Sequence, residues 1–322
     1  MILLYVFIGL LALFTLLILL EPMFMKLERV TLSSLIDRQD SDSGRRNSAF
    51  VPGNSGSVEH LRLLFFTDVH ARWLRVPRRA IRRAFAQAVA DNVSAVIFGG
   101  DLINDRFDVK RGLKVLARLA ALSQSYGLPF YGVSGNHDYK LTAEQFSVAG
   151  MTLLDGTTTF IKDNKDREWA LIGLEDLRTA FCRKENIAYQ SNLRRGIPRN
   201  YEYIDALLKI EPQLELCREQ NIPPERRIVL QHNPDLILSL PQGKVGYFLS
   251  GHFHGGQVWL PFGLEYTFLR QERLCKMGIT RGVFRWGKIR GYISRGLGCV
   301  FLPIRLGSRP EMAVLELTST EA

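Results

Sequence analysis

Short apolar runs alternate with longer segments of helical periodicity from Leu61 onward, and this alternation constrains the fold of the 322-residue chain more than any other feature. The runs LRLLFFT, SAVIFGG and PFYGVSG have the length and composition of buried strands. Helical segments follow near residues 77–92 and 109–126. The second half contains one helix near residues 201–220 and the strand-like runs EWALIGL, RRIVLQH, VGYFLSG and EMAVLEL. Strands that alternate with helices predict an α/β fold.

Five of these runs end in residues that suit metal or phosphate chemistry. The endings follow the order DxH, GD, GNHD, H and GHxH, and they comprise Asp68, His70, Asp101, Asn136, His137, Asp138, His232, His252 and His254. A single ending of this kind is more often a turn or a hydrogen-bonded surface residue. However, these endings hold five of the six histidines in the chain. Because loops beyond the carboxyl ends of strands converge in an α/β sheet, the series favours one shared site.

The types of donor in these endings indicate which metals the site would take. Carboxylate, amide and imidazole groups without thiolate suit Mn, Fe, Zn or Co, of which we expect Mn. The four cysteines form no CxxC pair, which argues against a cysteine–zinc site and fits a reducing compartment. Seven candidate ligands match two divalent cations that share one carboxylate, at a separation of roughly 3.5–4 Å.

The ordered set of motifs resembles the calcineurin-like metallophosphoesterase family, from about residue 61 to the C-terminus. The resemblance implies a four-layer α-β-β-α sandwich with two metal ions and a bridging Asp101. It implies that one metal is bound by Asp68, His70 and His254, and the other by Asn136, His232 and His252. It further implies that His137 acts on the phosphate as an acid or charge stabiliser, with Asp138 a candidate orienting partner. Asn104 stands where many family members carry Asp, so we consider it a candidate for substrate binding.

The first twenty residues predict a membrane-spanning helix. They carry no charged side chain, and twenty helical residues of about 1.5 Å each span the roughly 30 Å hydrocarbon core. A cleaved signal peptide is the alternative, but no basic residue precedes the run and no small-residue cleavage site follows it. Basic residues after the run, such as Lys26 and Arg29, place the rest of the chain in the cytoplasm. The predicted organisation is an anchor over residues 1–20, a juxtamembrane segment and flexible tether over 21–58, and a catalytic domain over 59–322.

The net charge of +10 fits nucleic acid, an anionic membrane surface or an anionic substrate. Three arginine-rich stretches lie near residues 71–85, 178–199 and 268–291. A guanidinium group matches the planar oxygens of a diphosphate, and the candidates for substrate binding are Arg178, Arg194, Arg195, Arg270 and Arg295. Nucleic acid is disfavoured, because too few aromatic residues accompany the basic ones for base stacking.

The segments EPMFMKLERVTL, GHFHGGQVWLP and SRGLGCVFLPIRLGSRPEMAVLEL resemble the membrane-associated, YaeI/YkuE-type bacterial branch of the family. This resemblance implies a hydrolase held at the bacterial inner membrane, with its catalytic domain in the cytoplasm and a lipid-linked, anionic phosphate substrate. The first hypothesis is a UDP-2,3-diacylglucosamine pyrophosphatase of lipid A biosynthesis, which releases UMP and 2,3-diacylglucosamine 1-phosphate. The alternative is a membrane-anchored phosphodiesterase that acts on another lipid or nucleotide. A non-catalytic scaffold is disfavoured, since it needs neither the full ligand set nor His137. The oligomeric state stays open.

Overall fold

Two six-stranded β-sheets form the centre of the computed structural model, which describes residues 1–32, 59–176, 201–260, 263–270 and 272–319. The strands are β1 Lys26–Leu32, β2 Glu59–Phe66, β3 Ala95–Phe98, β4 Phe130–Gly132, β5 Thr152–Leu153, β6 Thr158–Lys162, β7 Glu168–Gly173, β8 Arg227–Leu230, β9 Tyr247–Ser250, β10 Gly282–Trp286, β11 Ile289–Ile293 and β12 Glu311–Ser319. The first sheet has the order β1-β12-β2-β3-β4-β5, and the second has the order β10-β11-β9-β8-β7-β6.

Helices cover the outer face of each sheet. The helices are α1 Ile2–Leu20, α2 Arg78–Ala90, α3 Val109–Ser125, α4 Ala143–Val148, α5 Tyr201–Glu219, α6 Leu264–Leu269 and α7 Arg273–Lys276. Helices α2 to α4 pack on the first sheet through buried residues such as Phe85 and Leu116. Helix α5 packs on the second sheet through Leu214, and residues such as Phe65 and Trp169 fill the space between the sheets. The predicted four-layer α-β-β-α arrangement is therefore confirmed.

The parallel strands in the middle of each sheet position the loops that matter here. Strands β2, β3 and β4 are parallel neighbours in one sheet, and β7, β8 and β9 are parallel neighbours in the other. These strands are buried on both faces, which explains why they read as continuous apolar runs rather than as alternating ones. Their carboxyl ends lie at the same edge of the sandwich, so the five polar endings are brought together.

Strand β1 corrects the predicted boundary of the catalytic domain. The sequence pattern places residues 26–32 in the juxtamembrane segment, but they pair in parallel with β12, from Lys26 opposite Glu311 to Leu32 opposite Leu317. Leu32 is only 1% exposed and lies between the two sheets. The charged residues of KLERVTL are typical of an edge strand and hide its apolar positions. The sheet therefore needs residues well before 59.

Helix α1 is long and apolar enough to cross a membrane. The span Ile2–Met23 has 22 residues and a mean hydropathy of 3.0, and its most apolar window has no residue buried inside the protein. The end of the helix contacts the catalytic domain directly. The main-chain carbonyl of Ile18 accepts a hydrogen bond from the amide of Arg305 at 3.2 Å. The Glu21 carboxylate accepts bonds from the amides of Gly307, at 2.9 Å, and Ser308, at 2.8 Å.

Truncation tests whether β1 belongs to the catalytic domain. We expect a chain of residues 59–322 to be less stable to unfolding than a chain of residues 24–322, by at least about 2 kcal/mol, because it loses the burial of Leu32 and the pairing of β12. Urea denaturation followed by circular dichroism measures the difference, and both chains lack α1, so the anchor does not enter the comparison. Equal midpoints and slopes would contradict the assignment of β1.

Candidate metal centre

The predicted metal ligands occupy unusual backbone conformations. Five of them have a positive φ angle: 50° at Asp68, 38° at His70, 61° at Asp101, 73° at His252 and 54° at His254. A non-glycine residue seldom adopts this region, and such strain persists only where the surrounding structure imposes it. The sharp turns aim the side chains back over the strand ends, so the strain is the structural cost of bringing the ligands together.

Asp68, His70 and His254 form the first group of ligands. They are buried, and one ligand atom from each lies within 4.8 Å of the others. The Nε2 atom of His254 is 3.1 Å from Nε2 of His70 and 3.2 Å from Oδ1 of Asp68. Two donors that bind one tetrahedral cation at about 2.1 Å lie roughly 3.4 Å apart, so these separations fit a shared metal ion.

Asp101, His232 and His252 form the second buried group. The Oδ2 atom of Asp101 is 3.0 Å from Nε2 of His232 and 3.6 Å from Nε2 of His70, which belongs to the first group. The Asp101 carboxylate therefore lies between the two groups, where a bridging ligand must be. Asn136 is also buried, and its Oδ1 atom has no hydrogen-bond partner, as expected of an oxygen that binds a metal ion. The donor set fits two divalent cations.

Main-chain carbonyls orient two of the histidines. Nδ1 of His70 lies 3.1 Å from the carbonyl oxygen of Ile103, and Nδ1 of His232 lies 2.7 Å from that of Gly99. A carbonyl only accepts, so Nδ1 carries the proton in both rings. Nε2 is left with its lone pair toward the ligand groups, the arrangement found where histidine binds metal.

His252 is oriented the opposite way, by a residue that the sequence did not single out. Its Nε2 atom is 3.1 Å from Oε1 of the buried Glu272. Because a carboxylate only accepts, Nε2 carries the proton and Nδ1 is the nitrogen available to a metal ion. Nothing local marks Glu272, which lies twenty residues beyond His252 in an otherwise ordinary basic segment.

Burial and neighbouring charges shift the acidities in the two groups. Burial lowers the pKa of His70 and of His252 to about 3, so both rings are neutral, as a metal ligand must be. Burial also lowers the pKa of His232, but the Asp101 and Asp68 carboxylates together outweigh it and raise that pKa to about 10, so a cation bound here would have to displace the proton on Nε2 of His232. Conversely, burial raises the pKa of Asp101, while His232 and His137 hold it well below its usual value. Burial and the neighbouring Asp101 raise the pKa of Asp68, so it is the Asp101 carboxylate that stabilises positive charge at the centre.

His137 and Asp138 have different surroundings from those predicted. The Nδ1 atom of the half-buried His137 lies 2.7 Å from the main-chain oxygen of Asn104, and its amide donates to Asp101 at 2.8 Å. The buried Asp138 carboxylate accepts from the main-chain amides of Asp101, Leu102, Ile103 and Gly135 at 2.9–3.2 Å. The expectation that Asp138 orients His137 is therefore corrected, because the carbonyl of Asn104 occupies that position.

Three of the six candidate substrate residues can be described. The Asn104 side chain donates to the carbonyl of Cys299 at 3.2 Å, so its amide supports the loop that holds His137. Arg270 donates to the carbonyl of His252 at 2.9 Å, beside the second ligand group. Arg295 is paired with Glu28 at 3.2 Å and Glu311 at 3.1 Å, so its charge is largely neutralised. The remaining three, Arg178, Arg194 and Arg195, lie outside the described residues.

Glycines allow the backbone to pack directly against Asp68. A Cβ atom at Gly251 would lie 2.5 Å from Oδ2 of Asp68, and one at Gly296 would lie 2.5 Å from its Cβ. Gly296 belongs to the segment after β11, far from the motifs in sequence. Only glycine, which has no Cβ atom, allows the main chain to come this close to the side chain of Asp68. The C-terminal segment therefore helps to enclose the centre, a role that its sequence did not reveal.

Comparison with known proteins agrees with this geometry. Residues 61–256 match the calcineurin-like phosphoesterase family. The chain is 28% identical over 282 residues to the uncharacterized metallophosphoesterase YkoQ of Bacillus subtilis, covering 83% of this chain and 90% of YkoQ. It is 30% identical to YkuE, an uncharacterized metallophosphoesterase of the same organism, covering 70% and 68% of the two chains. It is 26% identical to the phosphodiesterase YaeI of Escherichia coli, covering 85% and 87%.

The chain belongs to the calcineurin-like phosphoesterase family. Since the fold and both ligand groups are those that its motifs imply, the protein is a metal-dependent hydrolase of the phosphoesterase type with a two-metal site.

Removal of Glu272 tests the orientation of His252. In Glu272→Ala we expect the affinity for the second metal ion to fall by about 10–100-fold while the first ion binds as before, because only His252 loses its partner. Isothermal titration with Mn²⁺ measures both sites. The matched control is Glu219→Ala, which removes an exposed carboxylate at the end of α5 and leaves both affinities unchanged. Equal weakening of both sites, or of neither, would contradict the assignment.

Proposed function

We propose that this hydrolase cleaves the pyrophosphate bond of UDP-2,3-diacylglucosamine, with release of UMP and 2,3-diacylglucosamine 1-phosphate, at the cytoplasmic face of the bacterial inner membrane. The observation that supports this substrate is the direct contact of the catalytic domain with Ile18 of α1 and with Glu21, which follows the helix. A lipid-linked substrate keeps its acyl chains in the bilayer, so the enzyme that cleaves it must hold its metal centre close to the membrane. A soluble substrate imposes no such requirement.

The side chains divide the work of such a hydrolysis. Two divalent cations, Mn²⁺ in our proposal, would be held by the two ligand groups and would supply Lewis acidity toward a phosphate oxygen and a water molecule. Asp101 links the two ligand groups, since its Oδ2 lies 3.6 Å from Nε2 of His70 in the first group and 3.0 Å from Nε2 of His232 in the second. His137 meets the phosphate: its ring packs edge-on against His70 with 5.0 Å between centroids, and its bond to Asn104 fixes the ring plane. In this position it stabilises developing charge or protonates the leaving oxygen.

The arginines are proposed to bind the anionic head. Arg270 is the best supported of them, because it is half-buried and bonded to the main chain of a metal ligand. Its guanidinium also lies over the Phe253 ring, 5.8 Å from the centroid, which limits its freedom. Arg178, Arg194 and Arg195 are proposed to contribute further positive charge toward the diphosphate. Arg295 is the weakest candidate, since two carboxylates already pair with it.

A phosphodiesterase for another lipid or nucleotide is the second candidate. It uses the same ligands and the same anchor, and the similarity to the phosphodiesterase YaeI favours it. The two candidate substrates differ in the group attached to the phosphate, and this group would lie beyond His137 and Arg270.

Substitution of the bridging carboxylate tests the metal mechanism. We expect Asp101→Ala to reduce Mn²⁺-dependent hydrolysis of bis(4-nitrophenyl) phosphate to the background of metal-free protein, because both ligand groups lose a shared donor and a buried charge. The release of 4-nitrophenol measures the rate, and mass spectrometry of metal content shows the loss of bound Mn²⁺. The control Glu144→Ala, on the exposed face of α4, keeps full activity. Activity retained in Asp101→Ala would refute the mechanism.

A direct assay tests the substrate. Purified full-length protein with Mn²⁺ is expected to hydrolyse UDP-2,3-diacylglucosamine in detergent and to leave UDP-N-acetylglucosamine, which lacks the acyl chains, largely intact. In heavy-oxygen water, label in UMP places the attack on the nucleotide-side phosphorus, and label in the sugar phosphate places it on the other. Hydrolysis of other lipid phosphodiesters without turnover of UDP-2,3-diacylglucosamine would remove this substrate and favour the second candidate.

A further inference from the structure

A groove lies where the end of α1 meets the catalytic domain, apart from the two ligand groups. It has a volume of about 680 Å³. One wall is apolar and comes from the end of the anchor, and the other is basic. The residues that matter are Leu17, Leu20, Phe24, Lys26, Arg281 and Arg309. Glu21 also lines the groove, but its carboxylate already accepts hydrogen bonds from the amides of Gly307 and Ser308. The bonds of Ile18 and Glu21 to residues 305–308 fix the two walls relative to each other.

Two arginines in the groove can bind an anion, because their charge is not neutralised by a carboxylate in the described part of the chain. Arg281 donates to the carbonyl of Gly307 at 3.0 Å, and Arg309 donates to that of Phe24 at 2.8 Å. Within the described part of the chain, neither has a carboxylate partner. Each guanidinium has five N–H donors, so most of them remain for an anion. Arg295 also lines the groove but is paired with Glu28 and Glu311, and Lys26 lies 3.8 Å from Glu28.

The apolar wall continues along α1. Leu17 is 51% exposed and Phe24 is 54% exposed, and the rest of the helix leads away from them as an uninterrupted apolar surface. A molecule that covers this wall and also satisfies the arginines is apolar along most of its length and anionic at one end. Inorganic phosphate satisfies only the arginines.

Further exposed apolar residues lie on two loops that are bonded to each other at Leu306, which lines the groove. Phe301 is 77% exposed and Trp259 is 45% exposed, and Leu260 and Leu302 are exposed beside them. The amide of Trp259 donates to the carbonyl of Leu306 at 2.7 Å, which ties the two loops together. Tryptophan and basic residues near the end of a membrane helix are typical of the depth at which lipid headgroups lie.

We propose that this groove is a binding site for an anionic phospholipid. The headgroup phosphate binds Arg281 and Arg309, and one acyl chain lies along Leu17 and Leu20 in the bilayer. The proposal depends on α1 crossing the membrane but not on the proposed substrate. The bound lipid holds the catalytic domain against the bilayer in one orientation.

The site adjoins the metal centre through Gly255, which directly follows the ligand His254. A Cβ atom at Gly255 would lie 3.3 Å from Cδ of Arg281. The carbonyl of Gly255 is also 3.5 Å from the Arg281 guanidinium. Arg281, which lines the groove, therefore contacts the loop that carries the metal ligand His254.

Lipid retention by the full-length protein tests the proposal. Protein in detergent is titrated with palmitoyl-oleoyl phosphatidylglycerol or with the matching phosphatidylcholine, and native mass spectrometry counts the lipid retained. We expect phosphatidylglycerol to be retained preferentially, and Arg281→Gln/Arg309→Gln to weaken its binding by about 10-fold or more. The matched control is Arg82→Gln/Arg83→Gln, which removes two exposed arginines from α2 and is expected to bind lipid as the unaltered protein does.

A charge-preserving variant separates loss of the lipid site from misfolding. Arg281→Lys/Arg309→Lys keeps the charge and is expected to restore most of the binding, whereas a loss caused by misfolding would not be restored. Equal retention by the glutamine variant and the unaltered protein would overturn the proposal. So would equal retention of phosphatidylcholine, or displacement of the lipid by an excess of inorganic phosphate, which would indicate a site for free anions. If UDP-2,3-diacylglucosamine is not hydrolysed in the same samples but phosphatidylglycerol is retained, only the proposed function fails.

Discussion

The burial of two carboxylates, Asp68 and Asp101, is the constraint on which the rest of the structure depends. Charges removed from water are tolerated only where opposite charge and hydrogen bonds compensate them. Here the compensation comes from imidazoles at 3.0–4.0 Å and from the main-chain amides of His137 and His252. Divalent cations provide the same compensation with greater charge. The positive φ angles of the ligands and the glycines packed on Asp68 are the means by which five separate loops meet this demand.

The carbonyls and carboxylates around the ligands are as important as the ligands themselves. Each of His70, His232 and His252 has one nitrogen bonded to an acceptor, which leaves the other for a cation. Asp138 contributes in the same indirect way, because it gathers the amides of residues 101–103 and so shapes the loop that carries Asp101. Asp138 therefore holds the loop, while His137 is bonded to the main chain of Asn104 and packs against His70.

The metal ligands could be predicted from the sequence because each stands at the end of a strand in a recognisable order, and local spacing places them at one sheet edge. Two features could not be predicted in this way. Glu272 reaches His252 from a different segment, so its role depends on how α6 and α7 pack. Strand β1 carries too many charges to show an apolar alternation, and its place is decided by the exposed edge of β12, at the opposite end of the chain.

By itself, the sequence determined the α/β sandwich, the long apolar N-terminal helix and the chemistry of the metal donors, because these follow from local periodicity, length and side-chain type. The tertiary structure decided which nitrogen of His70, His232 and His252 is available to a metal ion. It also decided that Asn104 rather than Asp138 orients His137, and that the end of α1 shares one groove with Arg281 and Arg309. These properties arise from contacts between residues distant in the chain. Their geometry exists only after the two sheets have packed, so no local pattern records it.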